Sequence, residues 1–243
     1  MRRFGLIGYP LGHSFSKKYF TDKFEREGIT GNAYELYPLE HIGQLENLLG
    51  SNPDLAGLNV TIPYKEQVVA FLDSMSPIVE EIGACNCIRI EDGRLKGHNT
   101  DVIGFSRSLM PKLKPYHMQA LILGTGGSAK AVAYTLKDLG IPFLQVSRTP
   151  NEGMIGYEEI DQSMLESHTL LINTTPVGMH PDVMKAPAIP YEFIGADHYL
   201  FDLVYNPEMT RFLQEGALRG AAVENGSDML VIQAEASWEI WNS

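Results

Sequence analysis

Cysteine is nearly absent: Cys85 and Cys87 are the whole supply, one residue apart. That spacing does not suit a disulfide scaffold and supplies two ligands where a structural zinc site needs four. A reducing, cytoplasmic setting is the expectation. Positive charge is also scarce, with 19 Lys and Arg against 30 Asp and Glu and a formal net charge of −11. Such a field repels polyanions, which argues against nucleic acid or an anionic membrane surface as partner, and a small anionic ligand would need local positive potential. Long apolar runs are missing too. Arg2 and Arg3 precede only Phe4–Ile7 before Gly8 and Pro10 interrupt, so neither a targeting segment nor a membrane span is expected. No internal repeat or low-complexity segment is present. What the chain does have is 44% hydrophobic and 20% charged residues over 243 positions, enough to bury the core of one large domain or two smaller ones.

Strand patterns alternate with helix patterns, the rhythm of an α/β protein with a mostly parallel sheet. Strands are expected at Arg3–Gly8, Ala33–Tyr37 and Leu55–Ile62, and helices at Lys17–Glu27, Ile42–Leu49, Lys65–Leu72 and Pro77–Ile82. Asn86–Ile90 and Arg94–Gly97 form a hairpin-like pair turned by Asp92-Gly93. After a helix at Val102–Leu109 the rhythm restarts at Gln119, which puts a domain boundary near Thr100.

Chemistry gathers first at Gly57–Lys65, Gly-Leu-Asn-Val-Thr-Ile-Pro-Tyr-Lys. Asn59 and Thr61 are polar exceptions in an apolar strand and are expected to point out of its wall. Pro63 is expected to end the strand and open a helix with Lys65 in its first turn, where a cation opposes the helix dipole. A solvated lysine beside Glu66 is the plain alternative. Downstream, Gly97-His-Asn99-Thr100-Asp101-Val-Ile-Gly104 offers a carboxylate that could orient a lysine for proton transfer, although Asn99 or Asp101 serves equally well as a helix cap.

The restart at Ala120–Leu123 leads into Gly124-Thr-Gly126-Gly127-Ser128-Ala129 and then a helix over Lys130–Leu139. This is G-x-G-x-x-A between strand and helix, the setting in which glycines let backbone N–H groups approach a pyrophosphate at a helix N-terminus. The next strand, Phe143–Val146, ends in Ser147-Arg148-Thr149. An NAD site expects an acid there for the ribose 2′-hydroxyl; a guanidinium suits a 2′-phosphate. Alternatively, Arg148 is a surface residue paired with Glu152. Near the N-terminus, Ser14 and Ser16 beside a helix start are suited to holding a carboxylate, while Ser16 alone could be an N-cap. Lys17 and Lys18 either add positive potential or are solvated. His13 has no partner at metal spacing and is read as structural.

Taken together, these motifs resemble those of the shikimate dehydrogenase family over essentially the whole chain. Gly57–Lys65 is similar to that family's G-x-N-V-T-x-P-x-K and Gly97–Gly104 to its G-x-N-T-D-x-x-G, with further likeness at Ser14 and Ser16, Gly83–Asn86, Gly124–Ala129, Asn173–Met179, Asp202–Pro207 and Gly226–Ala234. The resemblance implies reversible reduction of 3-dehydroshikimate to shikimate by NADPH, with no metal, in a monomer or homodimer whose partner is a small-molecule substrate. It implies an N-terminal α/β substrate domain, 1–100, completed by a C-terminal helix at 224–243, and a Rossmann-like NADP-binding domain at 101–223. By carry-over, Lys65 and Asp101 are catalytic, and Ser14, Ser16, Thr61, Asn86, Tyr205 and Gln233 hold substrate with them. Gly124, Gly126, Gly127, Ser128, Ala129, Ser147, Arg148, Thr149, Thr174, Met179 and Gly226 fall to NADP. The returning helix is expected to dock through Val231, Ala234, Trp238 and Trp241, an apolar stripe at helical spacing.

The chain departs from the family pattern in places. Lys17, Phe20 and Thr21 stand where a proline and a histidine-asparagine pair usually follow the second serine. Ser147 replaces an asparagine, Glu152 a basic residue, and Cys87 a threonine. The rival readings are an NAD-using quinate or shikimate dehydrogenase and a non-catalytic shikimate-binding homologue; intact Lys65 and Asp101 argue against the latter.

Overall fold

The computed structural model describes residues 1–12 and 15–243. Ser14 and His13 therefore lie outside the described residues. The chain divides into two compact units, one of residues 1–100 with 234–243 and one of residues 101–233, so the expected switch at 224 falls inside the second unit.

The first unit runs β1 (Arg2–Gly8), α1 (Phe15–Arg26), β2 (Asn32–Pro38), α2 (Leu45–Ser51), β3 (Leu55–Val60), β4 (Ser74–Met75), α3 (Pro77–Ile82), β5 (Cys87–Glu91) and β6 (Arg94–His98). These strands form a six-stranded sheet in the order β2-β1-β3-β5-β6-β4. β1 lies parallel to β2 and β3, and β4 parallel to β6, whereas β5 runs antiparallel to both its neighbours. The β5–β6 turn has Asp92 at φ 51° and Gly93 at φ 73°, the left-handed pair that matches strand twist in a two-residue hairpin. α3 follows its sequence signals: Ser76 caps it, Pro77 opens it, and Gly83 closes it at φ 64°.

The expected helix at Lys65–Leu72 does not form. The segment is a turn followed by a 3₁₀ helix at Gln67–Phe71. Val68 and Val69 are β-branched and weak helix formers. The chain is then captured by the sheet, with Asp73 N–H donating to Leu95 O at 2.9 Å and Leu95 N–H to the Asp73 carboxylate at 2.7 Å. Too few residues remain for a regular α-helix.

The second unit runs α4 (Asp101–Leu109), β7 (Ala120–Leu123), α5 (Gly127–Asp138), β8 (Phe143–Ser147), β9 (Met154–Gly156), α6 (Gln162–Ser167), β10 (Leu170–Asn173), β11 (Tyr199–Asp202), α7 (Arg211–Ala217), β12 (Ala222–Glu224) and α8 (Ser227–Trp241), whose last residues belong to the first unit. Its sheet is wholly parallel in the order β12-β11-β10-β7-β8-β9, the doubly wound order of a dinucleotide-binding fold. β7, β10 and β11 read as unbroken apolar runs because both faces are covered. Ala120, Ile122, Leu170, Ile172 and Phe201 pack with Phe105, Val132 and Met229 on one side, while Leu121, Leu123, Leu171 and Leu200 pack with Leu165, Phe212 and Leu213 on the other.

The end of α8 completes the first unit. Trp241 stacks on Phe4 with ring centroids 4.8 Å apart, Trp238 meets Phe4 edge-on at 5.4 Å, and Trp241 Nε1–H donates to Ile88 O at 3.0 Å. A Cβ on Gly57 would stand 2.3 Å from the Trp241 indole nitrogen, so the glycine that opens the lysine motif serves this docking. Val231 does not share the face; it is exposed, and Ala234, Ser237 and Trp241 form the buried line. Buried Lys23 of α1 ties the helix down through Glu235 at 2.8 Å and pairs locally with Glu27 at 3.0 Å.

Candidate active site

In the first unit the strand directions bring the expected residues to one end of the sheet. β3 ends toward Thr61 and Lys65, and antiparallel β5 begins opposite that end, with Cys87 registered against Asn59. β6 ends there too, with His98 opposite Cys87. Asn86, Asn99 and Thr100 thus converge on the strand end that leads to Lys65.

Lys65 is half-buried in the turn after β3. Helix polarity does not act on it, since the helix anticipated there is absent. Backbone bonds hold the turn instead: Thr61 N–H donates to Ile7 O, Tyr64 N–H to Thr61 O, and Cys85 N–H to Lys65 O at 2.7 Å. Tyr64 is buried, with its hydroxyl on Leu39 O. Thr61 is half-buried. Asn59 faces inward, contrary to expectation. Only 5% exposed, it accepts from the Tyr34 hydroxyl at 2.8 Å and donates to Ser237 Oγ at 2.9 Å and Asn86 O at 3.3 Å.

Asn86 is buried and grips Thr100, whose N–H donates to Asn86 Oδ1 at 2.7 Å while Asn86 Nδ2 donates to Thr100 Oγ1 at 3.0 Å. Asn99 Nδ2 donates to Ala84 O at 2.9 Å and ties β6 to the Gly83–Asn86 segment. Buried Asp101 opens α4, where a carboxylate is favoured by the helix dipole. Ser16 is buried in the first turn of α1, which begins at Phe15, so it is not the cap of that helix. Burial drives the Tyr34 phenol well above its ordinary pKa. Lys17 and Lys18 are exposed and pair with Glu35 and Asp22.

In the second unit, Gly124–Ala129, Ser147–Thr149, Thr174–Met179 and Tyr205 all follow the C-terminal ends of parallel strands. β7 lies between β8 and β10, the point where the strand order reverses and where such sheets bind ligands. Gly124 has φ 119°, and a Cβ there would approach Thr174 Oγ1 to 2.5 Å and Thr175 Cγ2 to 2.9 Å. Thr174 holds that place by donating to Leu123 O at 2.8 Å. Gly126 is exposed, with nothing within 4 Å of a Cβ, and it makes no side-chain cap on α5, at the helix end where an anion is favoured. α5 starts at Gly127, three residues before the expected Lys130, which puts Gly127, Ser128 and Ala129 in that turn. Ala129 is fully buried against the core that includes Ile122 and Phe105, the close helix-to-sheet contact its position requires. The loop has the glycine spacing and strand-to-helix setting of a dinucleotide-binding turn.

Arg148 and Thr149 are exposed beyond β8, and Thr149 N–H donates to Ser147 Oγ at 3.2 Å. Among the described ion pairs none joins Arg148 to Glu152. Met179 is 45% exposed and Tyr205 half-buried. Gly226 lies against backbone, its would-be Cβ 2.3 Å from Leu203 O, which makes it a packing glycine at the start of α8. Gly104 plays the same part between α4 and α8, 2.6 Å from Met229 O. Gln233 is buried on α8, and its Nε2 reaches Leu230 O at 2.9 Å.

Sequence reasoning missed two buried polar centres. One is the Tyr34–Asn59–Ser237 group, whose signals were an asparagine in the apolar run of β3 and a serine inside an apolar stripe. The other is Asp202, fully buried at the end of β11. It accepts from Asn173 Nδ2 at 2.9 Å, Val204 N–H at 3.0 Å and Thr210 Oγ1 at 2.6 Å. Burial without a cation pushes its carboxyl up to about 6, against those three donors.

Residues 6–88 match the model of the shikimate dehydrogenase substrate binding domain. The shikimate dehydrogenase (NADP(+)) of Methanococcus maripaludis is 35% identical over 98% of this chain and 90% of its own length. That of Thermus thermophilus is 34% identical over 99% and 92%. The crystal structure of shikimate 5-dehydrogenase from a second Thermus thermophilus strain, in complex with NADP(H) and shikimate, superimposes with a TM-score of 0.88 at 32% identity, over 99% of this chain and 93% of that one. With two relatives above 30% identity along nearly the full chain, a lysine turn at the end of β3 and a glycine cradle after β7, this protein belongs to the shikimate dehydrogenase family.

Proposed function

We propose that this protein is an NADP-dependent shikimate dehydrogenase, an oxidoreductase acting on a CH–OH group that interconverts 3-dehydroshikimate and shikimate. The observation that carries the reading is the likeness to NADP-dependent shikimate dehydrogenases over both units together, the lysine turn and the glycine cradle included. NADPH, when bound, supplies the hydride that reduces the ketone carbon. Gly124, Gly126, Gly127, Ser128 and Ala129 would hold its pyrophosphate on the α5 N-terminus, and Thr174, Met179 and Gly226 would complete its site. Ser147, Arg148 and Thr149 would receive the 2′-phosphate. The exposed guanidinium of Arg148, not paired with Glu152, and the lack of an acid at the end of β8 support NADP over NAD.

On the substrate side, Lys65 as an ammonium would stabilise and then protonate the oxygen that becomes the hydroxyl; in the reverse direction its amine would take that proton. Asp101 would accept a hydrogen bond from the neighbouring substrate hydroxyl and orient Lys65. Ser14 and Ser16 would hold the carboxylate, with Thr61, Asn86, Tyr205 and Gln233 on the remaining ring groups. Two buried, unbridged thiols support a reducing, cytoplasmic setting. Among the described residues no helix is long and apolar enough to cross a membrane. The assembly proposed is a monomer or homodimer acting on a small molecule. The test is a spectrophotometric assay crossing shikimate and quinate with NADP and NAD. Turnover of shikimate with NADP well above the other three combinations is expected; preference for NAD, or no turnover, would overturn the reading.

A further inference from the structure

One buried hydrogen-bonded chain in the first unit joins residues of β2, β3 and α8 to Asn86 before β5 and Thr100 after β6. Tyr34 donates to Asn59 Oδ1 of β3 at 2.8 Å, and Asn59 Nδ2 donates to Ser237 Oγ of α8 at 2.9 Å. Ser237 Oγ lies 3.2 Å from Thr100 Oγ1, and Thr100 is clasped by both ends of the Asn86 amide. Tyr34, Asn59, Asn86, Thr100 and Ser237 are each at most 5% exposed. Buried polar groups of this kind are satisfied only in one mutual arrangement, since a hydroxyl or amide moved off its partner loses a bond that water cannot replace.

The clasp end of the chain carries the argument. Asn86 is proposed to hold the substrate ring, and Thr100 precedes the proposed catalytic Asp101. Nothing in the fold requires polar residues behind that clasp: Tyr34 is stacked on Phe20 at 4.6 Å within an aromatic core, and Ser237 sits between Ala234 and Trp241 on an apolar helix face. A phenylalanine and an alanine would fill these places without a polar group to satisfy. We propose that Tyr34, Asn59 and Ser237 are positioning residues, a relay that holds the Asn86–Thr100 clasp in register with the sheet through the C-terminal helix. This rests on the shikimate dehydrogenase reading for its substrate and on the first unit alone for its geometry.

The test compares wild type with Tyr34→Phe, Ser237→Ala and the double variant. Phe keeps the stacking on Phe20, and Ala suits a helix interior, so the folded unit should survive. Each single variant should raise KM for shikimate about 3–10-fold, with KM for NADP unchanged, and the double variant should fall short of the product because both act on one relay. Amide hydrogen exchange without any ligand provides an independent reading. The Thr100 N–H, bonded to Asn86, should exchange at least several-fold faster in Ser237→Ala, while the Ile172 amide in β10 keeps its protection. An unmoved Thr100 amide, or an unchanged shikimate KM in both single variants, would overturn the relay. So would equal acceleration at Thr100 and Ile172, which means general loosening. A wild-type protein inert toward shikimate would instead sink the functional reading, with the exchange result left to decide whether the relay exists.

Discussion

Gly124 and Gly126 stand two residues apart in the same loop, yet their replacement by alanine should have opposite consequences for stability. At Gly124 a methyl group meets Thr174 Oγ1 at 2.5 Å and Thr175 Cγ2 at 2.9 Å, with φ at 119°, where side chains other than glycine are strained. Backbone strain of this kind costs ~1–3 kcal/mol. Displacing Thr174 also breaks its bond to Leu123 O, a further ~0.5–1.5 kcal/mol. Gly124→Ala should therefore lose about 2–4 kcal/mol and melt several degrees lower, at roughly 2–4 °C per kcal/mol for a chain of this size. At Gly126 nothing stands within 4 Å and φ is −78°, so alanine should leave the melting temperature unchanged or raise it slightly. The space it fills is the space proposed for the pyrophosphate. Loss of one charge-assisted N–H contact at ~1.5–3 kcal/mol predicts a KM for NADP about 10–150-fold higher, with KM for shikimate nearly constant. Thermal melts and paired KM measurements read both effects. Wild-type NADP affinity in Gly126→Ala would refute the cradle, and a wild-type melting temperature in Gly124→Ala would refute the strain argument.

Lys65→Ala should lower kcat by about 10²–10⁴, the range for a general acid–base group, with a much smaller change in KM for shikimate; near-normal turnover would remove Lys65 from the mechanism. Ser14→Ala with Ser16→Ala should chiefly raise KM for shikimate, well over tenfold for two hydrogen bonds to a carboxylate at ~1.5–3 kcal/mol each, and an unchanged KM would return both serines to other duties. Arg148→Leu should weaken NADP roughly 10–150-fold while NAD changes little, an effect that shrinks with added salt; equal losses for both nucleotides would end the phosphate-clamp reading. Asp202 supplies a pH test. Its carboxyl is pushed up to about 6, so the folded protein holds this proton more tightly than the unfolded chain. The stability it contributes is full below the ordinary carboxylate pKa of about 3.9 and is lost as pH rises through 6, a difference on the order of 2–3 kcal/mol by pH 8. Asp202→Asn can keep the Asn173 and Val204 bonds and turn its amide toward Thr210, so denaturation midpoints should favour the variant increasingly from pH 4 to pH 8. Parallel pH profiles would show that Asp202 does not titrate in this range.

Much of the architecture was legible in the chain because the signals are local. The alternation of strand and helix, the Asp92-Gly93 turn, the Ser76-Pro77 start of α3 and the glycine loop after Ala120–Leu123 depend on backbone conformations or periodicities that a few adjacent residues specify. The same locality explains what was misread. Pro63 with Lys65 resembled a helix start, but Asp73 is claimed by Leu95 across the sheet, and that competing partner lies 22 residues away. Val231 fitted the helical stripe, yet a stripe's period does not say which turns of a helix have something to pack against. Asn59 was expected to face outward because a polar residue in a strand usually does. Its partners Tyr34, Asn86 and Ser237 come from β2, the start of β5 and α8, and only the closed fold shows that an amide there is satisfied. Arg148 shows the converse: its pairing with Glu152 was plausible from sequence separation, and the fold leaves both exposed without joining them. The sequence by itself determined where backbone must be permissive and where apolar faces repeat. Which polar groups meet, and which of them are left for a ligand, was decided by tertiary structure, because a hydrogen bond in a dry core depends on partners that the chain brings together only when folded.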